Sequence, residues 1–333
     1  MDYEDAWEDA EFFYLAEEEA EYGTVSTPYD DAFRTMLVDC PALVIPVINE
    51  IFGKHYRGDE KIIQRPNEHF LNRQGGEEER RITDSVFAIV GETVDRYLFE
   101  CQSRPDSSML VRIFEYSVAD AAETGELIGN RLVVTIPQAA VLYLRSRRNT
   151  PNQMEIVMNT PGGSVSFPVP LMKMKDYRLE NIFEKKLYFL LPFYIFTHEN
   201  AFPQYEQNPE KLKELQQEYG EIMARLDALM ESGEMTAYEK QTIIDMAKRV
   251  LESIARKFAN VREGVDSIMG GRVLEHEAHT ILTRGIAQGI EIGQRRGEEI
   301  GQKRGEEIGR QEVYKRLIAA DFSEEQARKL AFG

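Results

Sequence analysis

The sequence predicts an α/β fold in which a mixed β-sheet is flanked by helices. Three observations lead to this prediction: helical segments open the region after residue 27, a hairpin of apolar strands follows, and a further helix precedes several short strands. Elements in this order bury their apolar surfaces most simply when helices cover the faces of one sheet.

The composition favours a globular protein with an acidic leader. Of the 333 residues, 42% are hydrophobic, and the net charge is −18. Residues 1–33 contain no Lys or Arg, so residues 1–26 are predicted to form an acidic disordered leader. A basic surface can still exist elsewhere, because phosphate binding requires local rather than global positive charge.

The apolar runs and the cysteines predict a cytoplasmic chain that does not enter a membrane. No apolar run reaches the ~20 residues that a membrane-spanning helix needs. The N-terminus opens with acids, not with the basic and apolar segments of a secretory signal. Cys40 and Cys101 are the only cysteines, which suggests reduced thiols.

Two helical segments open the predicted globular part. Asp30 is a plausible N-cap of the first, which carries Phe33 and Leu37 on one face. Residues 42–52 form the second, which ends at Gly53, a residue that readily adopts the left-handed conformation found at helix ends.

The clearest strand signal is a hairpin rich in apolar and β-branched residues. Residues 82–90 form its first strand and residues 97–102 the return strand. The polar residues 91–95 between them are predicted to form the loop.

Three polar residues of this hairpin are predicted to lie close together. With the turn centred near Thr93, Asp84 lies across from Gln102, and Glu100 is its diagonal neighbour. Glu100 and Gln102 share a face of the sheet because side chains alternate along a strand.

A helix over residues 107–123 follows, and Met109, Ile113 and Tyr116 form its predicted apolar stripe, with Arg112 one turn before Tyr116. Further strands are predicted from their apolar and β-branched composition. These strands cover residues 131–136, 141–144, 155–158 and 164–169.

A basic run comprising Arg145, Arg147 and Arg148 follows the second of these strands. Side chains of this kind could contact phosphate. A charged loop is more often only solvated, and both interpretations stay open.

The rest of the chain is predicted to be helical. Residues 205–270 are expected to form an antiparallel helical hairpin, because apolar residues recur at heptad spacing and a capping box at residues 236–239 opens the second helix. In residues 271–333, Gly recurs every four residues along a helical tail that ends in two short helices. Residues 27–204 are then the α/β domain.

Asp84 and Glu100 could support metal-dependent chemistry. Hydrolysis of a phosphodiester needs a site that neutralises the developing charge and activates a water, and a divalent ion held by carboxylates does both. Mg²⁺ prefers oxygen ligands and needs only one or two carboxylates beside the substrate phosphate. Taken alone, charged strand residues more often lie on a solvated face.

Residues 99–109, followed by Arg112 and Tyr116, resemble the Rpn-type recombination-promoting nucleases, also called PD-(D/E)XK nuclease family transposases. The shared motif is a carboxylate, any residue, Gln, Ser, Lys or Arg, Pro and Asp, then Met, Arg and Tyr on the next helix. Residues 30–33 are similar to the family's Asp-x-x-Phe, and residues 82–87 are similar to the strand that bears its central Asp. The glycine array and the segment after it are similar to a tail common in the family.

The resemblance implies a PD-(D/E)XK, restriction-endonuclease-like core and a role for each residue of the motif. Asp84, Glu100 and the backbone carbonyl of Cys101 would bind Mg²⁺. Gln102 would orient the attacking water from the position where the superfamily has Lys, and Asp30 would orient the site from its helix. The candidate DNA-contacting residues are Arg104, Arg112 and Tyr116.

Two functional hypotheses follow from these observations. The first is a Mg²⁺-dependent DNA endonuclease linked to recombination or mobile elements, and the intact set of site residues favours it. The second is a non-catalytic interaction protein, in which the helical C-terminal region binds a partner or forms a homo-oligomer. Structural alternatives also stay open for Asp30, as a helix cap only, and for Arg112 and Tyr116, as a structural pair.

Overall fold

The computed structural model describes most of the predicted α/β domain and the helices after it. Two predicted site residues, Asp84 and Arg104, lie outside the described residues, as do the leader and nearly all of the Gly-repeat tail. The chain up to Met269 belongs to one compact unit, and the residues from Gly270 onward belong to a second. The described residues are 27–64, 67–72, 78–83, 86–103 and 109–270, with Val313, Gln326 and Arg328.

A six-stranded mixed sheet flanked by helices confirms the predicted fold class. The described strands are β1 (Lys61–Gln64), β2 (Asn67–Asn72), β3 (Glu78–Thr83), β4 (Val86–Val90), β5 (Val94–Gln102), β6 (Glu126–Ile128), β7 (Arg131–Val133), β8 (Gln138–Tyr143), β9 (Gln153–Thr160) and β10 (Gly163–Lys173). Six of them form one sheet in the order β1-β4-β5-β8-β10-β9. Strands β5, β8 and β10 are parallel, and the other neighbours are antiparallel.

The helices begin and end close to the sequence signals. The described helices are α1 (Pro28–Asp39), α2 (Ile45–Phe52), α3 (Met109–Glu123), α4 (Leu179–Glu184), α5 (Phe202–Gln207), α6 (Pro209–Glu231), α7 (Ala237–Ile254) and α8 (Ala259–Ile268), with 3₁₀ segments at Pro41–Val44, Met174–Asp176 and Tyr188–Ala201. Gly53 ends α2 with a φ of 62°, as predicted. The segment predicted as one helix over residues 42–52 starts with the 3₁₀ turn Pro41–Val44.

The predicted strand over residues 82–90 is divided between two sheets. Its main part is β4, which pairs with β1 and β5 in the central sheet. Thr83 instead ends β3, which pairs with β2 in a separate two-stranded sheet.

The hairpin of β4 and β5 pairs in a register that corrects the prediction. Val86 pairs with Leu98, whereas a turn centred near Thr93 would have placed Val86 opposite Glu100. The pairing is therefore shifted by two residues along β5.

The shift places Asp95 in β5 and not in the predicted loop. Asp95 pairs with Ile89, and its carboxylate accepts a hydrogen bond of 2.6 Å from the hydroxyl of Tyr56. That bond is the main reason why the pKa of Asp95 lies below its ordinary value. A residue type common in turns is thus held in a strand by a contact 39 residues away in sequence.

Three of the four later strands are longer than predicted, and one is shorter. The predictions over residues 141–144, 155–158 and 164–169 correspond to β8, β9 and β10. The segment predicted over residues 131–136 contains only β7, which pairs with β6 to form a small hairpin outside the main sheet.

The first face of the sheet packs against α1, α2 and the 3₁₀ segment Tyr188–Ala201. Phe99 of β5 projects into this core, where its ring centroid lies 5.1 Å from that of Phe33 on α1. The Phe33 ring in turn lies 5.4 Å from that of Phe189 in the 3₁₀ segment. These aromatic rings hold α1 against the central strand.

The second face of the sheet is covered by α3. Leu98 of β5 and Val141 of β8 pack there against the predicted apolar stripe of the helix. The stripe is confirmed, since Met109, Ile113 and Tyr116 are all buried.

The C-terminal helices belong to the same core as the sheet. The predicted capping box is present, because Thr236 and Glu239 each bond the backbone N–H of the other. Helix α7 packs on α1 and on the 3₁₀ segment, while α6 packs on α5 and α8. These helices complete the core of the same compact unit as the sheet.

Within the described part of the chain, no single helix is both long and apolar enough to cross a membrane. The helical stretches Pro28–Asp39 and Pro41–Phe52 reach the required length and composition only when taken together, and they are bent by 108°.

Arg96 of β5 anchors the small hairpin of β6 and β7. Its guanidinium forms a 2.9 Å salt bridge with Asp120 of α3, which is fully buried. It also donates to the Thr124 hydroxyl just before β6 and to the Thr135 carbonyl just after β7. One side chain therefore fixes both ends of the hairpin to the sheet and to α3.

Replacement of Asp120 by Ala should lower the free energy of unfolding by about 3 kcal/mol, because it leaves a largely buried guanidinium without its carboxylate. Urea unfolding followed by circular dichroism measures this change. The matched control is Asp59→Ala, since the Arg57–Asp59 pair is 82% and 71% exposed and should contribute nothing measurable. Equal stability of the two variants would contradict the anchoring role.

Candidate active site

Glu100 and Gln102 lie at the carboxyl end of the central strand β5. Both project to the face covered by α3, as the alternation of side chains predicts, and both are partly exposed. On the parallel neighbour β8, Glu100 stands beside Val141 and Gln102 beside Tyr143. Val86, the first residue of β4, lies opposite Leu98 of β5. Glu100 and Gln102 come after Leu98, so they lie beyond the described pairing of β5 with β4.

Cys101 lies between these two residues and points the opposite way, into the first core. The neighbouring carbonyl of Gln102 accepts a hydrogen bond of 2.9 Å from the Leu144 N–H and so points toward β8. Because backbone groups alternate in direction along a strand, the Cys101 carbonyl points toward β4. This carbonyl is the backbone atom that the family resemblance implies as a ligand of the metal ion.

Asp30 has a different place in α1 from the one predicted. The N-cap is Thr27, whose N–H and hydroxyl donate to the Asp30 carboxylate over 3.1 and 2.7 Å. Asp30 returns a backbone hydrogen bond of 3.3 Å to the Thr27 hydroxyl, which completes a capping box. The prediction that Asp30 is the N-cap is therefore wrong, although the residue does stabilise the start of the helix.

The thiol of Cys101 links Asp30 to Glu100 electrostatically. Burial raises the pKa of this thiol well above its ordinary value, and the negative charges of Asp30 and Glu100 raise it further. A charge shifts the pKa of another group in this way only when the two groups are close in space. Asp30 on α1 and Glu100 on β5 therefore both act electrostatically on the Cys101 thiol.

Arg112 and Tyr116 lie on α3 at its interface with the site face of the sheet. Tyr116 is buried and packs in the second core beside Val141. Arg112 is partly buried, and its Nε atom is fully so. The burial of Tyr116 favours the structural alternative for this residue over direct contact with DNA.

The parallel register places two more residues beside the candidate site, and neither was identified from the sequence. Tyr143 and Lys173 stand in the same row and on the same face as Gln102, on the next two strands. The sequence signal for Lys173 is a lysine at the end of an apolar strand. The pairing of β8 with β10 could not be predicted from the sequence. Lys173 is buried.

The oxygen atoms at this end of β5 suit a hard cation. Glu100 offers a carboxylate, Gln102 an amide oxygen and Cys101 a backbone carbonyl, which are ligand types that Mg²⁺ accepts. Within the described residues, no three His, Cys, Asp or Glu side chains form a metal-binding group. Asp84, which the sequence places in the metal set, lies outside those residues.

Comparisons with family models, with curated proteins and with solved structures give no match to this chain. The fold and the site alone therefore define the class of protein. It is an α/β protein with a six-stranded mixed sheet, helices on both faces, and a carboxylate and an amide at the carboxyl end of its central strand.

Proposed function

We propose that the chain is a metal-dependent DNA endonuclease with a PD-(D/E)XK core, of the kind that the Rpn-type nucleases represent, acting in recombination or on mobile elements. The observation that carries the proposal is the position of Glu100 and Gln102. They share one face at the carboxyl end of the central strand, where open sheets with parallel strands commonly bind their ligands.

The proposal assigns two carboxylates to the metal ion. Glu100 lies on β5, and Asp84, which the resemblance assigns to the same ion, lies outside the described residues. One or two carboxylates are sufficient to hold Mg²⁺ beside a substrate phosphate.

Each residue then has a distinct task. A bound Mg²⁺ would lower the pKa of a water and neutralise charge on the phosphate. Asp84, Glu100 and the Cys101 carbonyl would hold the ion, and the Gln102 amide would orient the attacking water by a hydrogen bond. Because this amide is uncharged, it stabilises the transition state less than the Lys that the superfamily has there.

The proposal predicts Mg²⁺-dependent cleavage of supercoiled plasmid. Asp84→Ala and Glu100→Ala should each lower the rate by about a thousandfold or more, because loss of a metal ligand removes several kcal/mol of transition-state stabilisation. Gln102→Ala should cost about a hundredfold. The rates are measured by gel electrophoresis of nicked and linear products.

The matched control is Glu92→Ala, which removes an exposed acid from the turn of the same hairpin and should leave the rate unchanged. Wild-type protein that cleaves no faster than Glu100→Ala would reject the activity. Cleavage that is unaffected by both Asp84→Ala and Glu100→Ala would reject the site.

The two roles considered for Asp30, capping α1 and orienting the site, can be separated by mutation. Thr27→Val and Asp30→Ala both break the capping box and should each cost about 1 kcal/mol of stability. If Asp30 also orients the site, Asp30→Ala lowers the cleavage rate by about tenfold or more, while Thr27→Val changes it less than about twofold. Equal losses of activity at equal stability would leave Asp30 as a helix cap only.

A second candidate function, a non-catalytic interaction protein, is favoured by the hairpin of β6 and β7. Leu127, Ile128 and Leu132 on this hairpin are 75%, 60% and 63% exposed, although Arg96 fixes its base. Apolar side chains presented on a fixed element are typical of protein–protein contacts. Homo-oligomerisation through the C-terminal helices, which the sequence also suggested, stays a prediction.

A further inference from the structure

The carboxyl edge of the sheet carries an unusual concentration of positive charge. Residues 144–152 follow β8, and residues 171–178 include the end of β10. Together they contain six basic residues and one acidic residue, in a chain with 40 basic and 58 acidic residues. The basic residues are Arg145, Arg147, Arg148, Lys173, Lys175 and Arg178, and the acidic one is Asp176.

This basic edge begins beside the candidate active site. Strand β8 is the parallel neighbour of β5, so the segment after β8 leaves the sheet next to Glu100 and Gln102. That segment is joined to β5 by a hydrogen bond of 2.9 Å from the Leu144 N–H to the Gln102 carbonyl, and by one of 3.2 Å from the Arg145 N–H to the Ser103 carbonyl, directly after the end of β5.

Arg145 anchors the segment and is not available to a ligand. Its guanidinium makes two hydrogen bonds, of 2.6 and 2.7 Å, to the carboxylate of Glu199. The same guanidinium lies 4.8 Å from the ring centroid of Phe196, and the residue is buried. This bidentate interaction fixes the start of the loop over residues 145–152, hereafter the arginine loop.

Two lysines of the β10 side hold the rest of the arginine loop through its backbone. Lys173 donates to the Thr150 carbonyl and to the Asn152 side chain, each over 2.7 Å. Lys175 donates to the Arg147 carbonyl, also over 2.7 Å. Their ammonium groups thus stabilise the shape of the loop.

Arg147 and Arg148 differ from these three basic residues because both are exposed at the tip of the arginine loop. Among the described residues, no carboxylate pairs with either guanidinium. The loop therefore presents two exposed guanidinium groups on a backbone that Lys173 and Lys175 hold. Little side-chain pairing has to be broken before they bind an anion.

We infer that Arg147 and Arg148 bind the phosphate backbone of DNA next to the candidate active site. The inference rests on the proposed nuclease function, which makes DNA the ligand. Guanidinium groups match phosphate oxygens in geometry and charge, and such contacts position the duplex without reading its sequence. In a protein of net charge −18, this local charge also directs the duplex to the one edge where Glu100 lies.

The test is DNA binding by the double variant Arg147→Ala/Arg148→Ala. Fluorescence anisotropy with a labelled duplex of about 30 base pairs, in Ca²⁺ instead of Mg²⁺, gives the Kd between about 50 and 200 mM salt. The variant should raise the Kd about tenfold or more at the lowest salt and reduce the slope of log K against log salt by about two. Arg147→Lys/Arg148→Lys should restore most of the affinity, because it keeps both charges.

The matched control is Arg131→Ala/Arg249→Ala, which makes the same change of net charge at two exposed arginines on β7 and α7. This control should change the Kd less than about twofold. An equal loss in both double variants would reveal a general charge effect and would overturn the inference. Absence of DNA binding by the wild-type protein would overturn it as well.

The nuclease proposal and this inference can fail separately. Unchanged DNA binding in Arg147→Ala/Arg148→Ala, beside cleavage that depends on Glu100, overturns the inference and leaves the nuclease intact. Loss of binding in that variant only, beside a wild-type protein that cleaves nothing, supports the binding residues and rejects the nuclease.

Discussion

The alternation of side chains along β5 is the constraint on which the rest of the structure depends. Phe99 and Cys101 fill the core beneath α1, so Glu100 and Gln102 must face the other side. A shift of one residue would bury the carboxylate among the aromatic rings around Phe33, at a cost of several kcal/mol for an unpaired charge. The site therefore has one permitted face, and the packing of α1 selects it.

The parallel pairing of β5, β8 and β10 extends this constraint across the sheet. Parallel strands end at the same edge, so the carboxylate of Glu100, the arginine loop and Lys173 meet there although they are far apart in sequence. The bond between Arg145 and Glu199 joins residues 54 positions apart and fixes the loop beside the strand. A chain with a large negative net charge can in this way keep one positively charged edge.

Local signals predicted the elements, whereas long-range contacts decided how they assemble. The helix end at Gly53 and the capping box at Thr236 could be predicted from the sequence, because each acts within one turn of its helix. The register of β4 and β5 could not, since it places Asp95, a residue type common in turns, in a strand, where it contacts Tyr56, 39 residues away in sequence. The packing of α7 against α1 could not be predicted either, because the spacing of apolar residues shows that a helix has an apolar stripe but not what covers it.

The central claim is that the carboxyl end of β5 binds a divalent cation through Glu100. Anomalous diffraction from crystals grown with Mn²⁺ tests it directly. The predicted result is a peak about 2.1 Å from a carboxylate oxygen of Glu100 and of Asp84, which disappears in Glu100→Ala crystals. A protein crystallised with Mn²⁺ that shows no peak there, or a peak that survives Glu100→Ala, would contradict the claim.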